Sequence, residues 1–442
     1  MVFFALVAGI YAFWLLVFWP GILGDDSIAI IKEALDPDHF SSGKTDFWYY
    51  FVRLFYLGRE RAEAPVGVML ALGALMQARI LGWCWSWGLR KTALFLLVFV
   101  ALTPHFIFFL GTLIPDGIYA VAVAGLLFEC WLIARSQRCG WGALAMVALT
   151  LPWAAFARPN GIVFMAPVVL LVAWVWRHDR RASMRLGVVV VAWCIVMGVG
   201  GQARRGESQP AVYPLAIFET VNFLQPRPMN QWIAPKVSPL TIATLEKYHA
   251  LEVYTKNYDP DYWDFLVFPE NGPKVGFLSE ADKEIVVHEF FRRNLWRNLP
   301  KFVGSRINVF LASCLAQGIM IRHSYAKEIV EVVQSKSTYR RFGLERAEVL
   351  LTKLYDVSYA WRWLFWTPFL GLGLMGWALT AGARRRDGAL LLVAVPMLVQ
   401  LGGILFFSSA AEYRYILPFF ALPLALLPMY VSHRQEARLQ HP

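Results

Sequence analysis

Long apolar runs separated by short polar links dominate the hydrophobic pattern of this chain. Each run approaches the width of a bilayer as a helix, and in lipid only a helix satisfies its own backbone polar groups. The predicted spans cover residues 2–20, 65–88, 92–113, 117–134, 141–157, 161–176, 186–201, 358–381, 388–408 and 413–431. The pattern predicts an all-α polytopic membrane protein with about ten transmembrane helices.

Composition supports a membrane protein. Of 442 residues, 58% are apolar and 17% are charged, whereas soluble domains carry about a quarter charged residues. Much of the net charge of +11 lies in short arginine-rich links, so it indicates membrane orientation and gives no reason to expect nucleic acid. The five cysteines form neither a CxxC pair nor an obvious loop pair, so neither a disulfide framework nor a zinc knuckle is indicated.

The basic links between spans predict the topology. They are Arg90-Lys91, Arg135 with Arg138, Arg177 to Arg185, Arg384-Arg385-Arg386, and Arg434 with Arg438. Ten spans with both termini in the cytoplasm place every link inside, as the positive-inside rule requires. A crossing by residues 302–320, which include Arg306 and Gln317, would put the triple arginine outside. We therefore predict that residues 302–320 form an interfacial amphipathic helix on the outer surface.

This topology divides the chain into three parts. They are an N-terminal transmembrane module at 1–201 with a first periplasmic loop at 21–64, a periplasmic loop region at 202–357, and C-terminal transmembrane helices at 358–442. We expect amphipathic helices in both loops. One of them should follow the capping-box pattern of Ser279 and Asp282.

Acidic and basic residues recur in four turns on the outer side. They are Asp25 and Asp26 after the first span, Asp116 after the third, Arg158 and Asn160 after the fifth, and Glu412 and Arg414 before the last. Arginine binds phosphate oxygens through paired donors, and a carboxylate near a hydroxyl can take its proton. The mixture suits a site for a phosphorylated lipid.

Four patterns in these turns resemble the GT-C superfamily, integral-membrane glycosyltransferases that use lipid-phosphate-linked sugars. The patterns are Pro-Gly-x(4)-Asp-Ser, Pro-Asp, Arg-x-Asn-Gly and Glu-Tyr-Arg-Tyr-x(2)-Pro, in that order along the chain. No single pattern is specific, and the order and spacing of the four carry the resemblance. It extends from residue 1 to about residue 431.

The resemblance implies that an aspartate in the first outer loop activates the acceptor. Asp26, directly before Ser27, matches that position, and Asp25 is the second candidate. It also implies that Asp116 is a second acid near the donor or near a metal. No cofactor is firmly implied, although a divalent metal ion at Asp26 and Asp116 is compatible with the pattern.

The resemblance further implies that Arg158 and Arg414 hold the donor phosphate, and we count Asn160 and Glu412 with them. One feature departs from the family. Relatives often carry a His-Pro pair later in the first loop, where this chain reads Lys-Thr-Asp-Phe-Trp at 44–48. The resemblance therefore does not identify the residues on the acceptor side of the site.

The implied activity is transfer of a sugar from a polyprenyl-phosphate donor to a lipid, glycan or protein acceptor. The enzyme would lie in the bacterial cytoplasmic membrane with its site facing the periplasm. No nucleotide-binding glycine loop is visible on the inner side, which favours a lipid donor. The alternatives are a transporter or flippase, an O-antigen-type polymerase or ligase that uses lipid-diphosphate glycans, and a non-catalytic scaffold.

Structural explanations compete at each candidate residue. Asp25, Asp26 and Asp116 could cap helices. Arg158 and Arg414 could contact lipid headgroups, and Glu412 could pair with Arg414. Two further residues favour structural readings: Arg79 inside the second span should extend toward the cytoplasm, and His105 should be a hydrogen-bonded interior histidine. The basic residues Arg292, Arg293 and Arg297 are typical of a helix face on anionic headgroups.

A tag near residue 330 tests the predicted topology. With ten spans, a cysteine there should react with a membrane-impermeant maleimide in intact cells, whereas one in the link at 384–386 should react only after lysis. Protection near residue 330 before lysis would mean that residues 302–320 cross the membrane.

Overall fold

The computed structural model describes residues 1–204, 212–226, 236–317 and 324–440, with side chains described as far as residue 436. Helix makes up 76% of the structure. The described residues form no strand, and an isolated bridge joins Ile22 to Thr112. The all-α prediction is confirmed.

The helices follow the chain in this order. The first eleven are α1 (Val2–Val17), α2 (Asp25–Leu35), α3 (Asp46–Tyr56), α4 (Glu63–Ser86), α5 (Arg90–Leu96), α6 (Pro104–Gly111), α7 (Asp116–Ser136), α8 (Trp141–Phe156), α9 (Met165–Trp176), α10 (Arg180–Ala203) and α11 (Tyr213–Leu224). The others are α12 (Pro239–Glu246), α13 (Leu251–Lys256), α14 (Asp264–Val267), α15 (Glu280–Glu289), α16 (Leu295–Arg297), α17 (Leu299–Cys314), α18 (Ala326–Val332), α19 (Glu345–Ala360), α20 (Arg362–Phe365), α21 (Phe369–Arg385), α22 (Gly388–Phe407), α23 (Tyr413–Ala421) and α24 (Pro423–Gln440). Short π-helical segments cover Leu97–Ala101 and Phe290–Asn294, and 3-10 segments cover Pro159–Phe164 and Val275–Phe277.

Among the described residues, seven helical stretches are long and apolar enough to cross a membrane. They are Glu63–Ser86, Asp116–Ser136, Pro159–Trp176, Arg180–Ala203, Arg362–Arg385, Gly388–Phe407 and Tyr413–Glu436. The bent pair α5 and α6 would make an eighth, and α1 and α8 are apolar but shorter. Every predicted span overlaps at least one of these apolar helices, which indicates a multi-pass membrane protein. The count of ten and the periplasmic placement of the loops stay predictions.

The third predicted span, 92–113, is broken where the sequence predicted one continuous helix. The chain leaves the helix at Leu102 and Thr103, and α6 begins at Pro104 with a bend of 59°. Proline has no backbone N–H and fits the first turn of a helix, so it starts a new helix more readily than it continues an old one. His105, in the first turn of α6, is buried and stacks on Trp366 with ring centroids 4.5 Å apart.

An ion pair inside the membrane region corrects the interpretation of Arg79. Its Nε donates to Glu129 Oε1 at 2.7 Å and its Nη2 to Glu129 Oε2 at 3.3 Å, which joins α4 to α7. The Glu129 side chain is only 1% exposed. A charge in a span is stabilised by such a partner, so Arg79 need not reach the cytoplasmic surface. Sequence reasoning missed Glu129.

The chain divides into two compact units. The first comprises Met1–Gly206, Met320–Gln400 and Arg414–Pro442, and the second comprises Glu207–Ile319 and Leu401–Tyr413. In the first unit, α7 packs against α4, α8, α9 and α24. Because its apolar window is 94% buried, α7 is the central helix of that unit.

In the second unit, the predicted cap of α15 forms in part. The Ser279 hydroxyl accepts the N–H of Asp282 at 3.2 Å, as a capping box requires. In a capping box the N–H of the N-cap residue would donate to the side chain of Asp282. Here the Ser279 N–H donates to the Tyr248 hydroxyl instead, at 3.0 Å. The Asp282 carboxylate accepts from Lys247 and from Tyr248, each at 2.7 Å. Hydrogen bonds from Lys247, Tyr248 and Ser279 lower the pKa of Asp282 to about 2.

The helix predicted at 302–320 is α17, which runs from Leu299 to Cys314, and residues 318–320 lie outside the described residues. Within the described ranges α17 is not one of the helices long and apolar enough to span. Helices α1 and α8, which the sequence predicts to cross, are not among those helices either, so the expectation that α17 does not cross stays a prediction. Its place at a membrane surface stays a prediction.

A buried ion pair ties α17 to α11. Arg306 donates to Glu219, and the two side chains are 1% and 0% exposed. Glu219 also accepts from Ser305 at 2.7 Å and from Asn222 at 2.9 Å, and Arg306 donates to the carbonyl of Ser408. Glu219 thus has a cation and two polar groups as partners, as a buried carboxylate requires.

Removing either partner of this pair should destabilise the second unit. Arg306→Met leaves Glu219 buried without its cation, and Glu219→Gln leaves Arg306 without its anion, at about 3–5 kcal/mol each. The double variant should cost less than the sum, because no unpaired charge remains. Hydrogen exchange of α11 and α17 measures the effect. Unchanged exchange in both single variants would show that the pair contributes nothing.

Candidate functional site

The first loop, predicted at residues 21–64, is fixed at its start by the bridge between Ile22 and Thr112. The Ile22 N–H donates to the carbonyl of Gly111 at 3.2 Å, and the Leu113 N–H donates to the carbonyl of Ile22 at 3.1 Å. Gly21 has a φ of 113°, and a Cβ there would lie 3.0 Å from Val66. Glycine therefore permits the turn that brings the loop against the segment before α7.

Helix α2 orients the two aspartates. Its N-cap is Gly24, whose N–H donates to the Ser27 hydroxyl at 3.1 Å, and that hydroxyl donates to the carbonyl of Leu113 at 3.1 Å. Neither aspartate side chain caps the helix, so that alternative is wrong for both. Asp25 is exposed, while Asp26 is half-buried.

Two cations hold the carboxylate of Asp26. Lys44 Nζ lies 2.6 Å from one oxygen, and Arg414 Nη1 donates to the other. Burial alone would raise the pKa of Asp26, but the charges and hydrogen bonds of Lys44 and Arg414 outweigh burial and hold the pKa well below its usual range. Asp26 is therefore an anion and, in this state, a weak base.

Asp116 and Arg158 form the second ion pair of the cluster. Asp116 is the first residue of α7, where the helix dipole favours an acid, and its side chain is 2% exposed. Arg158 directly precedes the 3-10 segment Pro159–Phe164, and its side chain is 17% exposed. Asp116 does not cap α7 through its side chain, since the N-cap residue is Pro115.

Tyr415 joins the two ion pairs. The guanidinium carbon of Arg158 lies 5.1 Å from the centroid of its ring, and that of Arg414 lies 5.6 Å away. Burial lowers the pKa of Lys44, Asp26 opposes that effect, and the charges of Arg414 and Arg158 lower the pKa further. Residues from three predicted turns and the first loop thus meet in one cluster, which we call the charge cluster: Asp26, Lys44, Asp116, Arg158, Arg414 and Tyr415.

Three other predicted site residues are not counted in the charge cluster. Asn160 lies two residues beyond Arg158, and its Oδ1 is buried with no hydrogen-bond partner among the described residues. Glu412 belongs to the second unit, directly before the start of α23. Asp25 points to solvent from the first turn of α2.

The sequence analysis did not predict the role of Lys44 or that of Arg204, which holds the backbone at Lys44. Arg204, at the end of α10, donates to the carbonyl of Lys44 at 2.7 Å and to Asp46 at 2.9 Å. It also donates to Glu33 at 2.5 Å, and it stacks over the ring of Tyr49 at 5.0 Å. Arg204 therefore fixes the backbone from which Lys44 reaches Asp26. The only signal in the sequence was an arginine just past a span.

A second segment also holds the first loop in place. The Tyr325 N–H donates to the carbonyl of Leu23 at 2.9 Å, and the Arg340 N–H donates to that of Trp19 at 3.2 Å. The Ser337 hydroxyl donates to Glu63 at 2.5 Å. Sequence reasoning assigned these residues to the late loop region without expecting contact with the first loop.

The charge cluster contains two carboxylates and three cationic side chains. Lys44 and Arg414 both contact Asp26, and Arg158 contacts Asp116. Lysine and arginine donors that face a partly exposed site can bind a phosphate group, with arginine providing paired donors. The described residues contain no group of three or more His, Cys, Asp or Glu side chains able to hold a metal ion. Asp26 and Asp116 are instead neutralised by cations of the chain.

Comparison of the chain with protein-family models, with curated proteins and with solved structures finds no significant match.

Loss of Arg204 should loosen the loop that carries Lys44. In Arg204→Gln, hydrogen exchange at residues 42–46 should rise, because the carbonyl of Lys44 and the carboxylates of Glu33 and Asp46 lose their shared donor. Arg59→Gln, an exposed change in the same loop, is the control. Equal exchange in the two variants would contradict the role of Arg204.

Proposed function

We propose that the protein is a membrane glycosyltransferase that moves a sugar from a polyprenyl-phosphate donor to an acceptor hydroxyl. The acceptor is a lipid, glycan or protein. In this proposal the enzyme belongs to the GT-C superfamily and lies in a bacterial cytoplasmic membrane, with its site on the periplasmic side.

The charge cluster is the observation that supports this proposal. Its charged members come from the first loop, the start of α7, the turn after α8 and the start of α23, and they contact one another through ion pairs and the Tyr415 ring. A structural ion pair needs two residues. A cluster of five charges with a half-buried acid exceeds that need, and such clusters are typical of functional sites.

The cations bind the donor phosphate in this proposal. Arg158 and Arg414 lie against the same aromatic ring, so a phosphate there could accept hydrogen bonds from both. Lys44, which is 24% exposed, supplies a third donor. As the bond to the sugar breaks, these charges stabilise the negative charge that grows on the leaving phosphate.

Donor binding also activates the base. Lys44 and Arg414 outweigh the effect of burial and depress the pKa of Asp26. A phosphate that draws these cations away removes that effect, while burial continues to raise the pKa of the carboxyl group. Asp26 then becomes a stronger base, and it does so only when a donor is present.

The proposed reaction is a single displacement at the anomeric carbon of the donor sugar. Asp26 takes the proton of the acceptor hydroxyl, and the acceptor oxygen forms a bond to the anomeric carbon. The bond between that carbon and the phosphate oxygen breaks. Its electron pair leaves with the polyprenyl phosphate, and the proton on Asp26 passes to solvent afterwards.

A transporter is the second candidate, and the Arg79–Glu129 pair favours it. Ionisable residues inside spanning helices often lie on transport pathways. The pair is bidentate, however, and it leaves Glu129 almost fully buried, as a structural link between two helices would. Movement of a lipid-linked glycan across vesicles without any new glycosidic bond would favour the transporter.

Lipid binding and sugar transfer test the proposal separately. In native mass spectrometry, undecaprenyl phosphate should bind the wild-type protein more tightly than undecaprenol, which lacks the phosphate. Arg414→Gln and Arg158→Gln should each weaken that binding by about 10- to 100-fold, as expected for loss of a charged hydrogen bond. Asp26→Asn should retain lipid binding and lose transfer of sugar from a polyprenyl-phosphate donor in proteoliposomes.

Arg59→Gln is the control for both measurements, because Arg59 is exposed and lies outside the charge cluster. Equal binding of undecaprenyl phosphate and undecaprenol would refute the phosphate site. Transfer by a folded Asp26→Asn protein at near the wild-type rate would refute Asp26 as the base.

A further inference from the structure

Helix α17 carries its apolar face on the outside. Its exposed positions include large apolar side chains at every fourth residue, which lie on one side of a helix. They are Leu299, Val303, Ile307, Leu311 and Leu315, each between 36% and 49% exposed. We call this the outer face of α17.

The opposite side of α17 faces the interior of the second unit and is partly polar. It buries Phe302, Val309 and Ser313 together with the ion-paired Arg306. In water this arrangement would expose apolar surface while a charge is held inside, which is the reverse of a soluble helix. An apolar environment must therefore cover the outer face.

Two contacts within the second unit place α17 at the end of a membrane-spanning helix. Arg306 donates to the carbonyl of Ser408, the residue that directly follows α22. Val309 packs in one cluster with Ala411 of the same connecting segment. Because α22 is apolar enough to cross a bilayer, its end marks the membrane boundary.

The residues before α17 fit a charged lipid surface. Arg292, Arg293 and Arg297 are exposed, and Arg293 Nη1 lies 3.8 Å from Glu289 Oε2. Trp296 is 65% exposed, and its Nε1 donates to the carbonyl of Phe291 at 2.8 Å. Exposed tryptophan and arginine beside an apolar face are typical of a helix at the boundary of an anionic bilayer.

We propose that the outer face of α17 rests in the boundary layer of a bilayer, with the three arginines before it on anionic phosphate headgroups. The buried side of α17 carries the ion-paired Arg306, and among the described residues α17 is not one of the helices that are long and apolar enough to cross a membrane. It therefore lies along the surface and anchors the second unit there. This inference is independent of the proposed glycosyl transfer.

Site-directed spin labelling of the full chain in nanodiscs tests this. Nitroxide labels are placed at Val303→Cys, Ile307→Cys and Leu311→Cys. The control label is at Glu252→Cys, an exposed polar position of the same unit. All variants carry Cys194→Ser, because the other four cysteines are buried. Oxygen, which partitions into lipid, should relax the three α17 labels more than a water-soluble nickel chelate does. Glu252→Cys should show the opposite order. Greater relaxation by nickel on α17, or immobile labels reached by neither reagent, would overturn the proposal in favour of water or a protein partner.

The headgroup contact has its own test. In phosphatidylglycerol the Ile307→Cys label should lie deeper than in phosphatidylcholine, and R292Q/R293Q/R297Q should abolish the difference. A matched variant, K236Q/K256Q/K274Q, removes three exposed lysines of the same unit and should retain it. Equal depth in both lipids for the wild-type protein, or the same loss in both triple variants, would contradict the role of the arginines.

Discussion

The ion pair between Asp26 and Arg414 joins residues 388 positions apart in the chain, and the candidate site depends on it. It brings the first loop to the start of the last membrane helix. Lys44 extends the contact from the far end of the same loop, and Tyr415 extends it to Arg158. The Asp26–Arg414 pair thus connects the first loop, through the Tyr415 ring, to the Asp116–Arg158 pair.

The backbone brings these side chains together before any charge acts. The bridge from Ile22 to Thr112 sets the first loop against the segment before α7, and Arg204 fixes the loop again near Lys44. Asp116 begins the most buried helix of its unit, so its position is rigid. Preorganised charges of this kind stabilise a transition state without reorganising during the reaction. Electrostatic attraction thus refines an arrangement that hydrogen bonds and helix packing have already made.

Hydrophobic periodicity predicted the helices well because an apolar run in lipid has one way to satisfy its backbone. It also identified Asp26, Asp116, Arg158 and Arg414, since charges at the edges of apolar runs are conspicuous. Hydrophobic periodicity did not predict features that depend on tertiary contacts. Glu129 looked like an isolated charge until the packing of α4 against α7 supplied Arg79, and Pro104 broke a run that hydropathy alone treats as continuous.

Lys44 and Arg204 show the same limit for the site. Both lie in polar stretches with no periodic pattern, and their roles follow only from which carboxylates reach them in three dimensions. We propose that Lys44, Arg158 and Arg414 exchange an internal carboxylate for a lipid phosphate. An experimental structure with undecaprenyl phosphate bound is the most direct test of this exchange. The account predicts the phosphate on Arg158 and Arg414 with Asp26 released from Arg414. A phosphate bound elsewhere, with the Asp26–Arg414 pair intact, would contradict it.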